Sequence, residues 1–97
     1  MHTTLGRYRV KLNRAEEALR LFERDLLPTL RQVSGFVSYQ AAIAAPQLLL
    51  SIGIYQDKAA TEQANRITGE WLDSHAMEIV EGPPKLVVGE IRISQSV

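Results

Sequence analysis

The sequence predicts an α+β fold in which four strands and two helices run β-α-β-β-α-β, with both helices on one face of a four-stranded antiparallel sheet. Three observations point there. Four short stretches alternate apolar and polar residues, or run apolar throughout, as strands do. Two longer stretches space apolar residues by three and four, as helices do. Proline, glycine and helix-capping residues fall between them.

The elements follow in order. RYRVKL, residues 7–12, alternates strictly, with Tyr8, Val10 and Leu12 on one side and Arg7, Arg9 and Lys11 on the other. Asn13, with Glu16 three residues on, has the form of a helix N-cap with its capping box. The stripe Ala15, Ala18, Leu19, Phe22, Leu26, Leu30, Val33 then marks one face of a helix. Pro28 removes a backbone donor inside that stripe and predicts a kink or an end. Ser34-Gly35 stops what remains. FVSYQAAI, residues 36–43, reads as the second strand, and Pro46 marks a turn. LLLSIGIYQ, residues 48–56, is the third strand, apolar on its Leu48, Leu50, Ile52, Ile54 face. Asp57 caps the second helix, whose predicted buried stripe is Ala60, Ala64, Ile67, Trp71, His75, Ile79. Gly69 inside it costs about 1 kcal/mol against Ala, so the helix is either locally weak or closely packed there. EGPP, residues 81–84, ends the helix, and LVVGEIRIS, residues 86–94, is the last strand.

This order is the ferredoxin-like split βαβ, and right-handed crossovers leave few other arrangements. The helix-covered face is expected to hold Tyr8, Val10, Leu12, Val37, Tyr39, Leu50, Ile52, Ile54, Ile91 and Ile93. The other face carries Arg7, Arg9, Lys11, Ser38, Gln40, Ser51, Tyr55, Glu90 and Arg92, together with Leu49, Gly53, Val87 and Gly89. A face mixed in this way suits a sheet that meets a second copy of itself, with Glu90 pairing Arg9 or Arg92. The plainer reading is a solvated face. A chain this short buries a small core alone, which adds to the case for a homodimer.

Composition excludes several functions. Ninety-seven residues are expected to form a single domain, 1–97. Eleven basic residues balance eleven acidic ones, so no long-range field draws nucleic acid or an acidic membrane. Without cysteine there is no disulfide, thiolate metal site or Cys nucleophile. Two histidines, His75 and a His2 given no role, are too few for a multi-His metal site. No apolar run spans a bilayer and no signal peptide is visible, so a cytoplasmic protein is expected.

Three segments carry a family resemblance: LLPTLRQVSGFVSYQ, SIGIYQDKAATEQANRITGEWLDSH and GPPKLVVGEI. Together they resemble the antibiotic biosynthesis monooxygenase (ABM) domain family of the dimeric α/β-barrel superfamily, over nearly the whole chain. The resemblance implies a homodimer whose sheets pack face to face into a barrel, and a ligand cavity between sheet and helices. Some members oxidise polycyclic phenols to quinones with dioxygen and no metal or flavin; others open haem. In the cofactor-free oxygenases an Asn and a Trp of the second helix line the cavity, with tyrosines or an Arg nearby. In the haem-degrading members an Asn, a Trp and a His serve, the His binding iron. The spacing here departs from both patterns. Asn65 and Trp71 lie six residues apart, about 120° round the helix, rather than one turn. The first strand offers no Asn before Asn13.

The resemblance implies a cofactor-independent monooxygenase acting on a small, flat phenolic or quinonoid compound, with no metal and no cofactor. The catalytic candidates are His75, as a base for a phenolic proton or else a single haem ligand, and Asn65, as an amide that holds a substrate oxygen. Trp71, Tyr39 and Tyr8 are the substrate-binding candidates, by stacking or by lining a cavity. Each also has a structural reading: Trp71 and the tyrosines as core, His75 and Asn65 as helix surface. The alternative for the whole chain is a non-catalytic dimer that binds a small molecule or serves as a partner subunit. A closed core around Trp71 favours that alternative.

Overall fold

The computed structural model describes all residues, 1–97. Its elements are β1 (His2–Arg9), α1 (Ala15–Leu21), a π-helical turn (Phe22–Leu26), α2 (Leu27–Leu30), β2 (Phe36–Ala45), β3 (Leu48–Tyr55), α3 (Lys58–His75) and β4 (Lys85–Glu90). The sheet is antiparallel throughout, in the order β2-β3-β1-β4. The helices cover one face, so the ferredoxin-like α+β architecture is the one the sequence predicts.

The first helix departs from prediction at both of its special residues. Asn13 does not cap it. Its backbone is left-handed, at φ 66°, a conformation Asn tolerates better than most residues. Asn13 therefore turns the chain, and the N-cap falls on Arg14, with no side-chain cap bond. Arg14 pairs with Glu17 at 2.6 Å instead. Pro28 does not end the helix. The Leu27 N–H reaches back five residues to the Phe22 carbonyl, closing a wide π turn just ahead of the proline. Pro28 then lies in the first turn of α2, where a missing donor costs least, and the helix runs on to Leu30.

The sheet faces hold the main correction. β1 buries Tyr8 as expected, and Val10 just beyond it, but Leu12 lies past the strand and is exposed. On β3 the predicted face is reversed: Leu49, Ser51, Gly53 and Tyr55 point to the helices, while Leu50 and Ile52 are 37% and 41% exposed. The cause is two tyrosine rings that lie across two glycines. A Cβ on Gly6 would meet the Tyr8 hydroxyl and Ser51 Oγ, each at 2.5 Å, and one on Gly53 would meet the Tyr55 ring at 2.9 Å. The rings fill the volume that Leu50 and Ile52 were expected to fill. On β2, Tyr39 shares the helix side with Ser51 and Gly53 through the register, whereas Val37 is exposed beside a bulge between Phe36 and Ser38.

On α3 the Asp57 carboxylate accepts the Ala60 N–H at 2.8 Å, as predicted. Such a cap contributes about 1 kcal/mol. Ala60, Ala64 and Trp71 are buried as predicted, joined by Thr61, Thr68 and Leu72. The helix ends at His75, short of EGPP, and leaves that residue exposed. Ile79 is buried from the following loop, which bonds back to β1 and its end: Lys11 N–H to the Ile79 carbonyl, and Glu81 N–H to the Arg9 carbonyl. The last strand stops at Glu90, which places Ile93 outside the sheet and 90% exposed. No helix is long and apolar enough to cross a membrane.

Opposite outcomes are expected from one substitution at two glycines. A Cβ at Gly69 would meet no atom within 4 Å, so that glycine is not closely packed. Gly69→Ala should stabilise the protein by roughly 0.5–1 kcal/mol. Gly6→Ala should destabilise it by about 1–3 kcal/mol through overpacking against Tyr8 and Ser51. Urea midpoints measure both, and equal shifts would refute the packing account.

Candidate functional site

The layer between sheet and helices is built on aromatic rings. Phe22, on the π turn, meets the Tyr8 ring edge-to-face at 5.1 Å on one side and the Trp71 ring edge-to-face at 5.4 Å on the other. Pairs of this geometry add about 0.5–1.5 kcal/mol each beyond their buried area. Beneath them the Tyr8 hydroxyl shares a buried hydrogen bond with Ser51 Oγ at 2.9 Å. Burial pushes the Tyr8, Tyr39 and Tyr55 phenols above their ordinary value, Tyr55 to about 12. These phenols are therefore neutral hydrogen-bond donors at physiological pH, not bases.

Two donors in this layer are left over. The Tyr39 hydroxyl and the Trp71 indole N–H are buried without a partner. Tyr39 lies close to the Tyr8–Ser51 pair, but its hydroxyl makes no well-aligned bond to either. A buried donor without an acceptor costs about 1–3 kcal/mol, so two in one layer call for an explanation.

Tyr39 and Phe22 also line a groove of about 350 Å³ between the first helix and β2. Leu19, Leu27 and Ala41 form apolar walls, and Glu16, Arg20 and Glu23 supply charge. Phe22 thus separates this groove from Trp71. Trp71 is buried in the core at 8% exposure, and neither it nor Asn65 lines the groove at Tyr39 or the groove beside His75.

The predicted site residues are only partly brought together. Tyr8 and Tyr39 converge on Ser51, and Trp71 joins Tyr8 through Phe22. Asn65 points elsewhere: its amide oxygen accepts the Thr4 hydroxyl at 2.8 Å, which ties α3 to β1. His75 is exposed and stacks on Trp71, with ring centroids 5.9 Å apart and planes 11° from parallel. The sequence reading missed Ser51, which it placed on the other face, and it saw Phe22 only as part of a helix stripe. It also gave His2 no role, yet His2 lies in β1 opposite Tyr55 and Glu90 with a buried, unpartnered Nδ1. No group of three His, Cys, Asp or Glu side chains is placed to hold a metal ion. The residues do not fit haem either. The groove beside His75 has apolar walls only at Leu21, Met77 and Ile79, and Arg14, Glu17, Asp73 and Glu78 set four charges against an apolar macrocycle.

No family model and no curated protein matches the chain. Solved structures do match it. ActVA-Orf6, a monooxygenase of Streptomyces coelicolor solved with Nanaomycin D, superposes with a TM-score of 0.78 at 15% identity, covering 99% of this chain and 91% of that one. NE2512, a protein of unknown function from Nitrosomonas europaea, gives 0.77 at 20% identity, covering 99% and 93%. A mutant of SnoaB, a cofactor-independent oxygenase from Streptomyces nogalater, gives 0.72 at 18% identity, covering 96% and 94%. The chain therefore has the fold of the antibiotic biosynthesis monooxygenases.

Stability should be flat around neutral pH as far as these phenols are concerned, then fall on the alkaline side. Unfolded tyrosine ionises near its ordinary value of 10, before the folded phenols do. The stabilisation is thus complete below pH 10 and is lost as pH rises through the folded values. Absorbance titration of phenolate, run beside circular dichroism, checks this. Three tyrosines that ionise together near pH 10 with the fold intact would contradict the burial described.

Proposed function

We propose that this chain is a homodimeric, cofactor-independent monooxygenase for a small, flat phenolic or quinonoid compound, bound in the layer behind the groove at Tyr39. The observation that carries this reading is a pair of buried, unpartnered donors near Phe22: the N–H of Trp71, whose ring Phe22 touches, and the hydroxyl of Tyr39, which lines the same groove as Phe22. A ligand ring that displaces Phe22 meets the Tyr39 hydroxyl and the Trp71 N–H, which both donate to an oxygen acceptor. Phe22 sits in a π turn, a helix irregularity frequent at functional sites. The superposed oxygenases support the reaction class by analogy of fold.

The chemistry asks little of the protein. A phenol gives up its proton, and the anion passes electrons to dioxygen. One oxygen atom ends in the new carbonyl and the other leaves as water, which carries the phenolic proton and the one hydrogen of the ring carbon that is oxidised. The buried phenols are poor bases, and His75 lies outside the layer, where it backs the Trp71 ring. The substrate must therefore be acidic enough to arrive as the anion. Tyr39 and Trp71 then stabilise its oxygen, and Asn65 serves only if its bond to Thr4 opens. The closed core around Trp71 favours a second reading, in which the same layer binds such a compound without turnover.

Oxygen uptake and ligand titration with acidic polycyclic phenols separate these readings. Tyr39→Phe should weaken binding roughly tenfold, because a hydrogen bond to a charged oxygen is lost. It should leave the free protein as stable or more so, because the unpartnered hydroxyl is gone. Binding without oxygen uptake selects the second reading. No binding by any phenol or quinone sinks both.

The dimer is proposed through the outer sheet face. Ile52, Leu5 and Val87 lie in one row across β3, β1 and β4, each 41% exposed or more. Such a row buries naturally against a second copy. Ile52→Lys should give a folded monomer in sedimentation analysis; an unchanged sedimentation coefficient would place the contact elsewhere.

A further inference from the structure

A second feature stands apart from the interior site. The outer sheet face ends, near the β2–β3 turn, in a groove of about 770 Å³. Arg7, Arg9 and Lys85 line it, with Gln47, Leu48 and Glu81. Arg7 and Lys85 lie directly opposite each other in the β1–β4 register, and Arg9 follows on the same side of β1. Like charges opposite one another across strands are destabilising. None of the chain's three ion pairs involves these cations. Glu81, the one acid at the groove, is not within ion-pair distance of them.

The face cannot neutralise the cluster from its own residues. Glu90 is the only acid in any of the four strands, and it alternates onto the helix side with Leu86 and Val88. It pairs with Arg92 at 3.5 Å, not with Arg9. A second copy laid sheet to sheet would therefore bring no strand carboxylate to these cations. The chain as a whole has as many acids as bases, so three unpaired cations in one groove are a local concentration and not a general excess.

We propose that this groove binds the oxyanion of a small molecule, a phosphate or carboxylate group held by Arg7, Arg9 and Lys85. The two guanidinium groups can each offer a pair of parallel N–H donors. The Gln47 side chain is steadied by its bond to the Val10 carbonyl at 3.4 Å, and Leu48 gives an apolar floor for the rest of the ligand. The inference does not depend on the interior site, which lies on the other side of the sheet.

Calorimetric titration of the full chain with inorganic phosphate, and separately with citrate, tests it at low salt. One site per chain is expected for at least one of the two anions, weakened by added salt. Arg7→Gln and Lys85→Gln should each weaken it roughly tenfold, the worth of one charge-assisted contact. Arg31→Gln, an exposed arginine outside the groove, should change nothing. No binding of either anion overturns the proposal, and so does unchanged affinity in the Arg7→Gln, Lys85→Gln double variant. If those variants separate a dimer while anion affinity holds, the cations are subunit contacts and the oxyanion site is refuted.

Discussion

The packing of two tyrosines over two glycines governs the rest of the structure. Tyr8 leans back across Gly6 to reach Ser51, and Tyr55 folds across Gly53. Because Gly6 and Ser51 are paired in the β1–β3 register, the first contact also fixes how those central strands align. A slip by one residue would turn every side chain to the opposite face. It would replace open space over a glycine by Leu5 or Arg7. The glycines thus make room for rings that no β-branched residue would admit, and the rings commit each strand to one face.

That commitment decides what lies outside. With Ser51, Gly53 and Tyr55 inward, β3 must show Leu50, Ile52 and Ile54 outward. The outer face is then more apolar in its middle than a solvated sheet needs, and more basic at one end than its own acids can balance. The interior, conversely, is more polar than an ordinary core. It holds hydroxyls at Thr4, Tyr8, Tyr39 and Ser51, and two of its donors lack acceptors. Both departures from the usual distribution trace to the same choice of face.

Element order was legible in the sequence, since it depends on local signals: the Asp57 cap, the turn at Pro46, and the periodicity of each run. At residues 7–9 the faces of β1 were legible too, because Tyr8 alternates against Arg7 and Arg9, but the strand was expected over 7–12 and runs instead from His2 to Arg9. The face of β3 was not. Leu48, Leu50, Ile52 and Ile54 form the more hydrophobic set, and a count of apolar residues chooses them. The winning set contains Ser51, whose partner Tyr8 lies 43 positions away, and Gly53, whose value is the room it leaves for the Tyr55 ring. The same limit applies to the inner layer: Trp71 and Tyr8 stood out by type, but Phe22 as the ring between them is a tertiary fact. Asn13 failed as a cap because a left-handed turn uses the same residue type for another purpose.

The polarity of the inner layer also constrains its chemistry. Its titratable groups beside Phe22 are phenols, and desolvation is the leading reason their protons are held more tightly than in water. An environment that strips charge from a phenol also penalises a bound phenolate, unless donors face it. Two unpartnered donors can supply part of that stabilisation, and they gain most where water is excluded. The same closure that hides Trp71 is therefore what would give its N–H strength toward an anion. A larger permanent cavity would admit water, satisfy both donors, and weaken the preference for an anionic oxygen over a neutral one.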